Sequence, residues 1–188
     1  NVPKWYKINS FDDLKKFAKK LNFDAILKTN SLGYDGKGQV LIKSDKNLFN
    51  CWKKINYKDC ILEEKINFKR EISILYAKSN DESDCFFPIS ENTHEKGILR
   101  KSIAPAILDL ITLKKIQTLT KAYAKILNLR GLLTIEMFEL HDGKILFNEI
   151  APRPHNSFHW TIEGCKNSQF KILIKSICGY PLKDELSL

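Results

Sequence analysis

The sequence contains no run of about 18 consecutive apolar residues, which excludes a membrane-spanning helix and any membrane partner of that kind. No apolar segment follows Asn1-Val2-Pro3-Lys4-Trp5, so no secretory leader is expected. The chain does not open on Met and its one methionine is Met137, so we expect a stretch of a longer protein. Cysteine is unpatterned: Cys51, Cys60, Cys85, Cys165 and Cys178 form no CxxC pair, which excludes a zinc knuckle and a redox dithiol. Reduced thiols in a cytoplasmic protein are expected instead of a disulfide frame. Arginine is scarce. Of 31 basic residues 27 are Lys and 4 are Arg, at a net charge of +9. Phosphate grips tend to recruit Arg, and the lysines form no block, so no nucleic-acid partner is expected.

What is present suffices for a real core: 43% of the 188 residues are hydrophobic and 11% aromatic. Ser10 with Asp12 and Asp13 predicts a helix start, with Phe11, Leu14, Phe17, Ala18 and Leu21 on one face. Strands are expected at 25–28 and 40–42, with a glycine-rich stretch between them. A helix over 45–54 and a strand over 60–63 complete a small α/β lobe, 1–68. Strands at 72–77, 85–88 and 97–102 open a larger lobe, 69–188. A helix over 113–127 follows, with Ile116, Leu119, Tyr123, Ile126 and Leu127 as its buried stripe and Gly131 as its stop signal. The segments 132–140 and 144–150 predict a hairpin turned by His141-Asp142-Gly143. The last helix is expected over 168–178.

Three groups of residues carry candidate chemistry. Three glycines within Gly33-Tyr34-Asp35-Gly36-Lys37-Gly38-Gln39 let backbone N–H groups approach a phosphate, with Lys37 and Lys28 adding charge. The spacing is neither a Walker loop nor GxGxxG before a helix, and a plain glycine-rich turn explains it equally well. Glu136 and Glu149 each sit in an apolar strand, where an unpaired carboxylate is expensive. With Asn148 they form a hard oxygen set suited to Mg²⁺, unless both face solvent on the polar side of the hairpin. Arg153, His155 and Asn156 follow in a Pro-X-Pro frame that suits a small planar anion; the alternative is a polar loop stiffened by proline. Glu63, Glu64 and Glu71 flank the lobe junction, where a cleft would hold a nucleotide. His94 and His159 default to surface or structural histidines, and Trp5 and Trp52 to packing.

Taken together, Lys28 with the loop 33–39, Glu63-Glu64-Lys65-Ile66-Asn67-Phe68, Arg70-Glu71-Ile72-Ser73, Glu91-Asn92-Thr93-His94 and 148–157 form an ordered series of motifs. That series resembles the ATP-grasp region of the N5-carboxyaminoimidazole ribonucleotide synthetase family from about Pro3 to Leu182. Trp160-Thr161-Ile162-Glu163, Ser168-Gln169-Phe170 and Gly179-Tyr180-Pro181-Leu182 match as well. The resemblance implies an α+β ATP-grasp fold, its small α/β lobe carrying a glycine-rich flap and its larger antiparallel-sheet lobe flanked by helices. It implies a ligase of purine biosynthesis that carboxylates 5-aminoimidazole ribonucleotide with ATP and bicarbonate through carboxyphosphate. Position by position, it implies that Lys28 and the flap Gly33, Tyr34, Asp35, Gly36, Lys37, Gly38 and Gln39 contact ATP phosphates. Glu63, Glu64, Lys65 and Ile66 would hold adenine and Glu71 ribose, with His94 lining the ATP site. Glu136 and Glu149, with Asn148 beside them, would bind Mg²⁺, or Mn²⁺ in its place. Arg153, His155 and Asn156 would cradle bicarbonate, and Asp35 would help position the acceptor. A cytoplasmic homodimer is also implied.

Three departures accompany the resemblance. The family's N-terminal Rossmann-like domain and its C-terminal domain are expected to be absent from this chain, leaving the ATP-grasp portion. The family's Asn-Ser-Gly-His reads Asn156-Ser157-Phe158-His159, which predicts a crowded anion loop or a φ that Phe disfavours. The alternatives are another ATP-grasp ligase, of the formate-using glycinamide ribonucleotide transformylase or biotin carboxylase kind, and a non-catalytic MgATP-binding fragment.

Overall fold

The computed structural model describes residues 1–30, 38–56, 59–95 and 97–182. Chain contacts divide it into two compact units, Asn1–Asn67 with Lys96–Ile98, and Phe68–Glu95 with Leu99–Leu188.

In the first unit the elements run β1 (Trp5–Ile8), α1 (Phe11–Lys20), β2 (Ala25–Thr29), β3 (Gln39–Ile42), α2 (Leu48–Lys54) and β4 (Cys60–Glu64). Helix α1 starts where the sequence predicts. The Ser10 hydroxyl accepts from the Asp13 N–H at 3.1 Å, and Asp13 Oδ2 accepts from the Asn9 N–H at 3.2 Å. The first bond satisfies a donor that the helix start leaves open, and the second ties the residue before the cap to the first turn. The four strands pair antiparallel in the order β1-β4-β2-β3. Strand side chains alternate between faces. Ala25, Leu27, Cys60 and Leu62 therefore point into one core with Leu14, Ala18, Leu48 and Cys51, while Lys28 and Glu63 stand on the other face. Trp52 packs in this core as expected, whereas Trp5 is half exposed. Strand β1 lacks a sequence signal, because Trp5-Tyr6-Lys7-Ile8 is short and only Ile8 is buried.

The second unit holds β5 (Arg70–Lys78), β6 (Asp84–Phe86), β7 (Ser90–Glu95), β8 (Ile98–Ile103), α3 (Leu110–Ile126), β9 (Gly131–Glu139), β10 (Ile145–Ala151), α4 (Thr161–Gly164) and α5 (Gln169–Ile177). Its six-stranded sheet runs β10-β9-β5-β7-β8, with β6 also on β5. One face carries Ile72, Ile74, Tyr76, Leu133, Ile135 and Met137 against Ile116 and Ala124 of α3. Opposite, Leu75, Ala77 and Leu132 pack against Phe87, Phe158 and Ile172. Helix α3 differs from its expected stripe: it buries Ile116, Thr120 and Ala124, while Leu119, Ile126 and Leu127 are exposed. Asp109 caps it, accepting from the Thr112 N–H at 2.8 Å, which moves the start to Leu110. Its stop is Asn128 at φ 47°, not Gly131, which opens β9.

A buried ion network ties one edge of this unit. Arg70 Nε donates to Glu139 Oε2 at 2.6 Å, Nη1 to Glu91 Oε2 at 2.8 Å and Nη2 to the Ile107 carbonyl at 2.8 Å. Burial pushes the Glu139 carboxyl up, but Arg70 and Lys69 more than offset it and hold it below its ordinary range. Arg70→Ala leaves Glu139 buried without its main partner, so unfolding in urea should show a loss of about 3 kcal/mol. All five cysteines are free thiols, and burial raises the pKa of Cys60 to about 11.

Candidate functional site

The face of the second sheet that packs on α5 is apolar at one end and polar at the other. Leu75 and Ala77 lie on it, and stepping back by twos along β5 reaches Ser73 and Glu71. Ser73 is the register partner of Glu136 on β9, and Glu71 is the partner of Asn92 on β7. Glu149 joins the same row as the partner of Glu136. Strict alternation would put Glu149 on the side of Phe147, which is buried in the α3-facing core. The register shift between Phe147 and Glu149, at Asn148, lets one strand serve both faces. One β-bulge thus places two carboxylates side by side.

Glu136 is buried at 9% exposure, while the Glu149 side chain is 49% exposed. Directed hydrogen bonds hold Glu136. Its Oε1 accepts from the Ser157 hydroxyl at 2.8 Å and from the Ser73 hydroxyl at 3.4 Å. Both hydroxyl oxygens accept from Asn92 Nδ2, at 3.3 and 2.6 Å, and Asn92 Oδ1 accepts from the Ser102 hydroxyl at 2.8 Å. Every donor in this relay points toward the carboxylate. Ser73, Asn92 and Ser157 sit in the motifs named above, yet sequence reasoning gave them no role. Ser73 had a signal of the same kind as Glu136, a polar residue inside an apolar strand; Ser102 had none.

The loop after β10 meets this row. His155 lies with Nδ1 3.7 Å from Glu136 Oε1 and Nε2 3.9 Å from Glu149 Oε1. Arg153 Nη2 is 3.7 Å from Glu149 Oε1, with its side chain 59% exposed. Asn156 is exposed and opens the 3-10 turn 156–158. Phe158 closes that turn without crowding the loop. It is fully buried beside Phe87 and Trp160, and it is not among the residues with left-handed φ. The expected conflict is therefore absent: the ring fills the α5-side core.

Glu71 and His94 form a hydrogen-bonded pair at the end of the row. The bond to Glu71 chiefly raises the His94 pKa above 6.5; burial opposes it, and Glu71, Glu136 and Glu149 add to it by charge. A histidine pKa raised on folding stabilises the fold fully below about 6.5, and that contribution is lost as pH rises through the raised value. NMR titration should place His94 above an ordinary histidine, and Glu71→Gln should bring it down.

In the first unit Lys28 and Glu63 form an ion pair on the face away from the helices. Lys28 is the register partner of Gln39, and the Thr29 N–H donates to the Gly38 carbonyl at 2.9 Å. Glu64 is exposed, its N–H donating to the Lys4 carbonyl at 2.8 Å. Lys65 Nζ lies 3.5 Å from Asp24, and Ile66 is half-buried. Gly33, Tyr34, Asp35, Gly36 and Lys37 lie outside the described residues.

The donor set at Glu136 and Glu149 fits a hard divalent cation. It offers two adjacent carboxylates, one fixed by hydroxyls, and no thiolate. Among the described residues no group of three or more His, Cys, Asp or Glu forms a closed cage. Mg²⁺ is bound in that open way, through one or two carboxylates completed by water and phosphate oxygens.

A family profile described as the ATP-grasp domain matches residues 1–170. The chain belongs to the ATP-grasp family. Among ATP-grasp relatives, N5-carboxyaminoimidazole ribonucleotide synthase of Bacillus subtilis is 40% identical over 175 residues, covering 93% of this chain and 46% of that protein. The bifunctional purine synthesis protein purC/E of Dictyostelium discoideum is 41% identical over 184 residues, covering 93% of this chain and 18% of that protein. The solved structure of N5-carboxyaminoimidazole synthetase from Staphylococcus aureus complexed with ADP superposes with a TM-score of 0.89 at 36% identity. It covers all of this chain and 50% of that one. The chain thus spans about half or less of the relatives it matches. The ATP-grasp fold, α+β with antiparallel sheets, is as the sequence implies. No helix among the described residues is long and apolar enough to cross a membrane.

Proposed function

We propose that this chain is the ATP-grasp part of an enzyme that carboxylates 5-aminoimidazole ribonucleotide, using ATP and bicarbonate, to N5-carboxyaminoimidazole ribonucleotide. The observation that carries the reading is the adjacency of Glu136 and Glu149 to Arg153 and His155: a carboxylate pair suited to a cation against a loop suited to an anion. The names of the relatives supply the substrate class. Other ATP-grasp ligases would need a different loop after β10.

In this reading Lys28 and the segment 33–39 bind the ATP phosphates. Glu63, Glu64, Lys65 and Ile66 take the adenine, largely through backbone groups, and Glu71 takes the ribose, with His94 orienting its carboxylate. Glu136 and Glu149, with Asn148 beside Glu149 on β10, hold Mg²⁺ or Mn²⁺. When bound, the cation supplies charge neutralisation at the phosphate oxygens. Arg153 binds bicarbonate through its guanidinium, and His155 and Asn156 orient it toward the γ-phosphorus. A bicarbonate oxygen attacks that phosphorus, the bond to ADP breaks, and carboxyphosphate forms. The exocyclic amine of the ribonucleotide, positioned with help from Asp35, then attacks the carboxyl carbon, releasing phosphate and giving up a proton. The same reading makes the whole protein a cytoplasmic homodimer without nucleic-acid partners.

The test is ADP release by the full-length gene product with MgATP and bicarbonate, with and without 5-aminoimidazole ribonucleotide. Release that requires the ribonucleotide supports the proposal. Release indifferent to it points to another ATP-grasp ligase, and no release to a nucleotide-binding fragment.

A further inference from the structure

The anion loop is held only in part by its own backbone: the Phe158 N–H donates to the His155 carbonyl at 3.0 Å and the His159 N–H to the Asn156 carbonyl at 3.1 Å, and neither bond engages the His155 N–H. The β10–β9 ladder ends at the pair Ala151–Thr134, and Pro152 and Pro154 have no N–H to donate. Loop residues beyond a ladder need other partners for their polar groups if they are to keep one conformation. His155 finds both in a single side chain. Its N–H donates to Gln169 Oε1 at 2.9 Å, and its carbonyl accepts from Gln169 Nε2 at 3.0 Å. That is the pair of bonds a neighbouring strand residue would supply, delivered by an amide on the first turn of α5. Gln169 is fully buried. The backbone partners also fix which end of the amide is oxygen. Nε2 must then donate to His159 Nδ1, 3.0 Å away, which places the proton of a neutral His159 on Nε2. The amide is itself seated, because the Gln169 N–H donates to the Thr161 hydroxyl at 3.0 Å and that hydroxyl donates to the Phe158 carbonyl at 2.6 Å.

We infer that Gln169 is a positioning residue that sets the loop 153–156 for anion binding, by clamping the backbone of His155 from the far side. The inference rests on the reading of Arg153, His155 and Asn156 as the bicarbonate cradle. Through the clamp, the His155 ring keeps its place between Glu136 and Glu149, and Arg153 keeps its reach. A loop displaced by about 1 Å loses rate steeply.

Gln169→Glu keeps the volume and the acceptor for the His155 N–H, but sets an oxygen against the His155 carbonyl and His159 Nδ1. Gln169→Met keeps the volume and removes every polar contact. Ser168→Ala removes the cap of the same helix, whose hydroxyl accepts from the Lys171 N–H at 3.3 Å, and leaves the clamp intact. In the full-length gene product, both Gln169 variants should raise the KM for bicarbonate about tenfold or more, with the KM for MgATP unchanged. Ser168→Ala should lower stability and leave both constants alone. A Gln169 variant with the wild-type KM for bicarbonate overturns the inference, as does an equal loss in every constant, which would mark scaffolding alone. Should the variants fail to fold, amide hydrogen exchange of the wild type decides. The His155 N–H should exchange far more slowly than that of exposed Asn156, and equal rates would contradict the clamp. A wild type whose ADP release ignores bicarbonate sinks the cradle reading instead, while the exchange rates still judge the clamp.

Discussion

Phe158→Gly is expected to destabilise the second unit by about 4 kcal/mol and to restore no activity. A fully buried phenylalanine truncated in a core typically costs 3–5 kcal/mol, because its contacts are lost and the cavity collapses only in part. Phe158 lies between Phe87 and Trp160, with ring centroids 6.2 and 6.3 Å away, in the cluster that seats Ile172 of α5 beneath the sheet. Glycine would add backbone freedom to the 3-10 turn that carries Ser157, the donor to Glu136. The urea midpoint should fall with little change in slope. Unchanged stability together with a gain in turnover would mean that the phenyl ring obstructs the loop, contrary to its placement here.

The second large effect belongs to Glu149→Gln. The side chain is half exposed, so the amide should fold as well as the acid, and stability should change by no more than about 0.5 kcal/mol. Chemistry should not survive so well. One of two anionic oxygen donors is replaced by a neutral one, and Glu136 alone, with Oε1 already taken by Ser157, makes a poor cation site. ADP affinity in the presence of Mg²⁺ should drop to its metal-free value, and ADP release should fall roughly 100-fold. Calorimetric titration with and without Mg²⁺ reads the first directly. An affinity that keeps its full Mg²⁺ dependence would remove Glu149 from the proposed metal site.

Much of this was legible because it follows from burial. A glutamate inside Leu133-Thr134-Ile135-Glu136-Met137 stands out from its apolar neighbours, and the hairpin over Gly131–Ala151 has the alternation and the Asp-Gly turn of an antiparallel pair. What was not legible depended on tertiary context. Strand β7, Ser90-Glu91-Asn92-Thr93-His94-Glu95, reads as a polar loop because it has no apolar alternate face, yet β5 recruits it through register. The bulge at Asn148 leaves no trace in the composition, and without it the two carboxylates would fall on opposite faces. Gln169 carries no local signal either, since the partners of its side chain lie 14 and 10 residues back along the chain. Phe158 shows the converse error. A residue judged by the loop it interrupts turned out to belong to the core that the loop rests on.

The most direct test of the central claim follows the oxygen atoms. If bicarbonate attacks the γ-phosphorus at the site built by Arg153, His155 and the two carboxylates, the oxygen that makes the bond stays with phosphorus when the carboxyl group moves to the amine. Full-length protein turning over with ¹⁸O-labelled bicarbonate, MgATP and 5-aminoimidazole ribonucleotide should release phosphate carrying a single ¹⁸O per molecule, read by ³¹P NMR. Unlabelled phosphate would contradict the account, because it would mean that water, not bicarbonate, accepts the phosphoryl group.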